Sequence, residues 1–140
     1  MHTTAFWLHF ATGFFDEFEG FSRADLQDAL HGLGNILKTV GAVLLLTDPR
    51  DLAAAVLDDS VEKKTAFEPD VLLHDNYPGG VGQSDPLFRR RTELLKAALE
   101  LAAGCSCASG CPSCVGPHTE IGRRGKEGAL RMLRKLSVGQ

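Results

Sequence analysis

The chain has 140 residues, 44% apolar and 24% charged, with a net charge of −3, which is the size and balance of one globular domain with one core. No apolar run is long enough to span a membrane, and the N-terminus lacks the basic, apolar, small-residue order of a signal peptide. With four cysteines crowded into one stretch, this points to a reducing, cytoplasmic setting.

The first element expected is a short strand over Ala5-Phe6-Trp7-Leu8-His9-Phe10, which is β-prone and alternates imperfectly. Phe14, Phe15, Phe18 and Phe21 then crowd among acids, a density that suits a core or a partner-facing surface better than catalysis. Ser22 with Asp25 has the form of a helix N-cap and capping box. From there Leu26, Ala29, Leu30, Leu33, Ile36, Leu37 and Val40 recur at helical spacing. His31, on or beside that stripe, reads as a packed or half-exposed side chain rather than a ligand. Val43-Leu44-Leu45-Leu46 either continues the helix or begins a buried strand, and Thr47-Asp48-Pro49-Arg50 stops it. Asp51 to Leu57 fits either strand or helix. The polar stretch 58–70, with Pro69, reads as a surface loop, and Val71-Leu72-Leu73-His74-Asp75 as a buried strand.

Asn76-Tyr77-Pro78-Gly79-Gly80-Val81-Gly82 follows, with glycines that permit positive φ or close approach. Ser84 caps the next helix, with Pro86 in its first turn and Leu87, Phe88, Arg91, Leu94, Leu95, Ala98 and Ala102 at helical spacing. A strand, a glycine loop and a helix N-terminus can hold an anion. The G-x-x-x-x-G-K-[ST] spacing is absent, so a tight strand-to-helix turn is the favoured reading. Asp75, His74 and Tyr77 beside this loop could also be imagined as acid, base or ligand, but no nucleophile–base pair accompanies them.

Gly104 ends the helix and opens Cys105-x-Cys107-x3-Cys111-Pro112-x-Cys114. Four thiolates this close can surround one ion, and Gly110 and Pro112 permit the sharp turn required. Structural Zn2+ on Cys105, Cys107, Cys111 and Cys114 is the favoured reading, since four protein ligands leave no open position for water. An Fe–S cluster or a redox dithiol remains an alternative. Disulfides between such near neighbours would remove little unfolded-state entropy. Gly116-Pro117 breaks the chain, and a basic helix over 126–136 closes it, with Ala129, Leu130, Leu133 and Leu136 inward and Arg131, Arg134 and Lys135 solvated.

Charge divides with the chain. Residues 1–85 carry 5 Lys/Arg and 14 Asp/Glu, a net −9, and residues 86–140 carry 10 and 4, a net +6. Four thiolates on one divalent ion leave a local −2, which Arg123, Arg124 and Lys126 could offset. The other use for such side chains is phosphate binding. The fold class expected is α+β: a small sheet of two or three strands packed by two long helices and a C-terminal helix, with the four-cysteine metal loop at the edge. One domain over 1–140, with its core at about 22–116, is expected.

Leu73-His74-Asp75-Asn76-Tyr77-Pro78-Gly79-Gly80-Val81-Gly82, then a helix, then the four-cysteine block running into Val115-Gly116, resembles the C-terminal zinc-binding domain of bacterial DEAD/DEAH-box helicases of the mitomycin repair factor type. The helix from Ala24 to Val40 and the turn Thr47-Asp48-Pro49-Arg50-Asp51-Leu52 look like that domain's earlier helix and its D-x-R-D-aliphatic turn. Ala53-Ala54 departs from the Gly-Gly often found there. The resemblance, over roughly 22–116, implies a piece of a superfamily 2 helicase active in DNA repair, whose parent binds and hydrolyses ATP. No Walker A lysine loop and no D-E-[AV]-[DH] motif occurs, so this chain is expected not to hydrolyse ATP. The implied partners are the helicase motor and single-stranded or forked DNA. Candidate DNA contacts are Arg89, Arg90, Arg91, Arg123, Arg124 and Lys126. Asp75, Tyr77, Gly79, Gly80 and Gly82 form a loop of candidate function. A purely structural metal module without DNA contact is the alternative.

Overall fold

The computed structural model describes residues 5–58, 67–75, 84–107, 110–111, 114–116, 121–122 and 124–138. Three strands form one antiparallel sheet in the order β1-β3-β2. These are β1 (Ala5–His9), β2 (Leu52–Leu57) and β3 (Asp70–Asp75). Of the stretch from Asp51 to Leu57, open between strand and helix on sequence grounds, Asp51 ends a short 3-10 turn and Leu52–Leu57 is a strand. The register sets Phe6, Leu73 and Ala54 in one cross-strand row and Leu8, Val71 and Val56 in the next. Paired residues point to the same face, so these two rows share a side of the sheet.

Helix α1 (Arg23–Leu44) lies on that side. Gly34 faces the sheet so closely that a Cβ there would stand 3.2 Å from Ala54 Cβ and 3.7 Å from Val71 Cγ1. The helix begins at the expected capping box. Asp25 N donates to Ser22 Oγ at 3.1 Å, and Ser22 N donates to Asp25 Oδ2 at 3.0 Å. All seven apolar residues of its stripe, from Leu26 to Val40, are buried. Each buried leucine, isoleucine or valine contributes about 1.5–3 kcal/mol relative to exposure. His31 is exposed on the opposite side.

The helix stops without a glycine. Thr47 N donates to Ala42 O (2.9 Å) and Leu46 N to Val43 O (3.2 Å), the paired bonds of a Schellman ending. Leu46 takes the left-handed position that glycine usually fills, with φ 53°, and its side chain is 94% exposed. The apolar run Val43–Leu46 thus neither becomes a strand nor enters the core as a whole.

The single long helix expected after Ser84 is two: α2 (Ser84–Arg89) and α3 (Arg91–Gly104), meeting at Arg90 (φ −105°, ψ 23°). Leu87, Leu94, Leu95, Ala98 and Ala102 are buried as their spacing predicts. Phe88 is not: it is 58% exposed, because the break at Arg90 takes it off the stripe that α3 continues. Helix α4 (Gly125–Val138) packs against α1 and α3. Ala129, Met132 and Leu133 are fully buried, while Leu130 and Leu136 are only half-buried. Lys135, expected to be solvated, instead donates to Phe14 O at 2.6 Å and sits 4.7 Å from the Phe14 ring centroid. That ring belongs to a cluster in which Phe10, Phe14, Phe15, Phe18 and Phe21 meet edge to face and Phe67 packs tilted against Phe15, the core role their density suggested.

Candidate metal centre

The four cysteines meet between the end of α3 and the start of α4. Cys105 caps the C-terminus of α3, its N–H donating to Leu101 O. The chain then turns back on itself. Gly110 and Gly116 take φ +123° and +102°, conformations that side chains beyond glycine rarely adopt. A Cβ on Gly116 would stand 2.8 Å from Asn35 Nδ2, so a side chain there would displace the amide that bonds Val115 O. Cys111 O closes the second turn by accepting from Cys114 N (3.1 Å) and Gly116 N (2.9 Å).

The sulfurs form a cage. Sγ–Sγ distances are 3.4 Å for Cys105–Cys107, 3.5 Å for Cys105–Cys111, 3.4 Å for Cys107–Cys114 and 3.7 Å for Cys111–Cys114. All four ligand atoms lie within 4.8 Å of one another. A tetrahedron of Zn–S bonds of about 2.3 Å has edges of about 3.8 Å. The cage therefore fits one ion of that size, and it is too small for a multi-iron cluster. Cys114 and the adjacent Val115 are buried within the hydrophobic core, so the cage is anchored to the body of the domain.

Lys126 lies under the cage. It is 5% exposed, and its Nζ donates to Cys105 O (3.0 Å), Cys107 O and Cys107 Sγ (3.1 Å). One buried ammonium thus offsets part of the −2 left by four thiolates around a divalent ion. In the free thiols, burial works against charge on Cys107, yet hydrogen bonds from Lys126 and the neighbouring cysteines overcome it and bring that thiol down to about 6. Burial pushes the Cys114 thiol up to about 12. A bound cation supplies the charge that lets both ionise together.

Of the basic side chains named as candidate DNA contacts, Lys126 is committed to the cysteine loop and has no free face. Arg90 donates to Leu44 O (2.7 Å) and Glu93 Oε2 (2.7 Å). Arg124 pairs with Glu127, donates to Gly20 O and lies 3.7 Å from the Phe21 ring centroid. Arg89 is exposed. Arg91 is exposed as well, with its guanidinium 4.5 Å from the Phe88 centroid and a 2.9 Å bond to Phe88 O. Arg123 lies outside the described residues. In the glycine loop, Asp75 is buried at the end of β3 opposite Leu52, and Tyr77, Gly79, Gly80 and Gly82 lie outside the described residues. Sequence reasoning did not single out Asn35, which donates from Nδ2 to Val115 O at 3.1 Å, and an asparagine within a helix carries no signal for such a role.

The model of the MrfA Zn-binding domain matches residues 33–115. The chain belongs to that family. Its cofactor is zinc, in agreement with the four-sulfur cage. The Bacillus subtilis protein described as an uncharacterized ATP-dependent helicase, YprA, is 33% identical over 137 residues, which is 98% of this chain and 17% of that protein. The crystal structure of the DUF1998 helicase MrfA bound to DNA superposes with a TM-score of 0.69 at 31% identity, over 85% of this chain and 15% of that one. The same helicase bound to DNA and AMPPNP superposes with a TM-score of 0.66 at 28% identity. The chain therefore spans about a sixth of the length of the helicases it matches. None of its described helices is long and apolar enough to cross a membrane.

Proposed function

We propose that the chain acts as the zinc-stabilised accessory domain of an ATP-dependent DNA helicase of the MrfA type, supporting DNA handling in repair. The observation that carries this reading is the superposition on a helicase solved with DNA, at a TM-score of 0.69. The cage has a structural task. Cys105, Cys107, Cys111 and Cys114 hold the ion, which closes the loop after α3, and Lys126 balances its charge and ties the start of α4 to that loop. Because four thiolates fill the coordination sphere, zinc here supplies rigidity and no open site for catalysis.

Within this reading Arg89 and Arg91 are the side chains that meet DNA phosphate. They stand exposed at the α2–α3 junction, while Arg90, Arg124 and Lys126 serve internal contacts. Each phosphate contact steepens the dependence of log affinity on log salt by about 0.7–0.9. Binding of forked and single-stranded DNA should therefore weaken with salt. Arg89→Glu with Arg91→Glu should flatten that slope by more than one unit.

A purely structural module without DNA contact is the second reading. It is favoured by the three basic side chains that turn inward. Unchanged DNA affinity and unwinding in a helicase carrying both charge reversals would select it.

A further inference from the structure

The sheet carries apolar side chains on both faces, and α1 covers one. An antiparallel strand with one wet face alternates apolar with polar residues. Here β1 reads Ala-Phe-Trp-Leu-His and β2 reads Leu-Ala-Ala-Ala-Val-Leu. The central β3 reads Asp-Val-Leu-Leu-His-Asp. β1 and β2 thus place apolar side chains on both faces, while β3 turns Asp70 and His74 outward on either side of the buried Leu72. On the face away from α1 the register aligns Trp7, Leu72 and Ala55 in one row, with Ala53 beside His74 on one flank and Leu57 beside Asp70 on the other. Trp7 is 53% exposed and Leu57 47%. Between them Ala53 and Ala55 give β2 a low, methyl-lined floor. One margin is acidic: His9 Nδ1 lies 2.7 Å from Asp70 Oδ1, and His9 Nε2 lies 3.8 Å from Glu68 Oε2.

We infer that this outer face of the sheet docks on the ATPase body of an MrfA-type helicase. The inference rests on the accessory-domain reading. In both YprA and the solved helicase most of the chain lies outside the matched segment, so a much larger protein body adjoins the domain. The face has the composition of a protein interface, with a tryptophan and aliphatic centre inside a polar rim. Its acidic margin selects a partner surface with basic edges, and it repels the phosphates of DNA.

Trp7 is the only tryptophan of the chain, so the proposed interface contains its own probe. The 140-residue chain alone should show the emission of a solvated indole and strong quenching by iodide. The probe partner is the ATPase portion of the MrfA-type helicase from the same genome, without this domain. On adding it, the emission should move to the blue and iodide quenching should fall several-fold. By calorimetry, Leu57→Lys or Trp7→Lys should weaken the complex by about tenfold or more, while urea unfolding of the chain alone changes little. Binding that leaves Trp7 quenchable, or that Leu57→Lys does not weaken, overturns the docking face and leaves the accessory-domain reading intact. Absence of any binding overturns both. A blue shift produced by DNA alone overturns the choice of partner.

Discussion

Asn35 and Val115 are 80 positions apart and joined by one hydrogen bond, from the asparagine Nδ2 to the valine carbonyl at 3.1 Å. Asn35 is in the middle of α1, and Val115 directly follows the last cysteine. This bond ties the metal loop to the helix that carries the largest share of the core. Val115 is fully buried, so its carbonyl loses its side-chain partner in a largely closed setting once Asn35 is gone. Asn35→Ala should destabilise the domain by about 1–3 kcal/mol, the cost of an unsatisfied buried acceptor. Asn35→Asp should cost at least as much, because a carboxylate presents an acceptor to an acceptor. Urea unfolding of the zinc-loaded protein gives both values. Transfer of zinc to a chromogenic chelator should be faster in both variants.

Lys126 is a buried cation held by two carbonyls and one thiolate. Its removal strands all three. Lys126→Met, which keeps the aliphatic stem, should cost about 3–5 kcal/mol, as expected when one partner of a buried charged cluster is removed. Zinc affinity should fall in the same variant, because the remaining charge of −2 is then uncompensated. A competition titration against a chelator of known affinity measures this. Lys126→Arg should rescue only in part, since a planar guanidinium does not match a site shaped for a compact ammonium.

Leu46 offers a substitution of the opposite sign. The left-handed conformation costs an L-residue about 1–2 kcal/mol, and glycine returns part of that gain through its freer unfolded chain. The side chain is 94% exposed and adds almost nothing to the core. Leu46→Gly should therefore stabilise the domain by about 0.5–1 kcal/mol, seen as a higher urea midpoint with an unchanged slope.

Sequence and fold part company at particular residues, for physical reasons. Helix α1 was legible because Ser22, Asp25 and the apolar stripe all state the same period, and the cage because its four ligands are contiguous. β2 was not, because Leu-Ala-Ala-Ala-Val-Leu has no period of its own and becomes a strand by pairing with β3. The break at Arg90 carries neither glycine nor proline. It is held by tertiary contact, the guanidinium reaching the end of α1 at Leu44. Lys126 was legible as a counter-charge to the thiolates, which is where it lies. Lys135 sits in a basic helix whose pattern reads as solvated, and only the return of α4 against the phenylalanine cluster turns it inward. Long-range contact likewise divides the basic candidates into the exposed Arg89 and Arg91 and the internally engaged Arg90, Arg124 and Lys126.

The turn after α1 should survive acid to an unusual degree. Asp48 accepts from Arg50 N (2.9 Å), Nε (3.1 Å) and Nη2 (2.7 Å). The Arg50 hydrogen bonds hold the carboxyl at about 2, below its ordinary 3.8. A depressed folded-state value means that this contribution is fully present above pH 3.8 and is lost as pH falls through about 2. A carboxyl-carbon NMR titration should place the Asp48 midpoint near the lower value, and Arg50→Ala should return it toward the ordinary one. An ordinary midpoint in the unsubstituted chain would remove the turn's pH resistance.

Zinc removal is the most severe perturbation the architecture predicts. Cys114, Val115 and Ile121 are all part of the hydrophobic core, so opening the cage also opens the seam between α1 and α4. Structural zinc sites convert metal-binding free energy into folding free energy, and their ligands must be deprotonated to bind. Cys111→Ser or Cys114→Ser should reduce zinc content from one ion per chain to near none and cost on the order of 5 kcal/mol. Hydrogen exchange should show the order of loss. Amides of Cys105, Cys114, Gly116 and of α4 should lose protection first, while β3, paired on both sides, keeps its protection longest. Lowering the pH of the intact protein should release zinc and produce the same pattern, since protons compete for the four sulfurs. A Cys114→Ser variant that retains one zinc ion and its full unfolding midpoint would show that the cage is not what holds α4 in place.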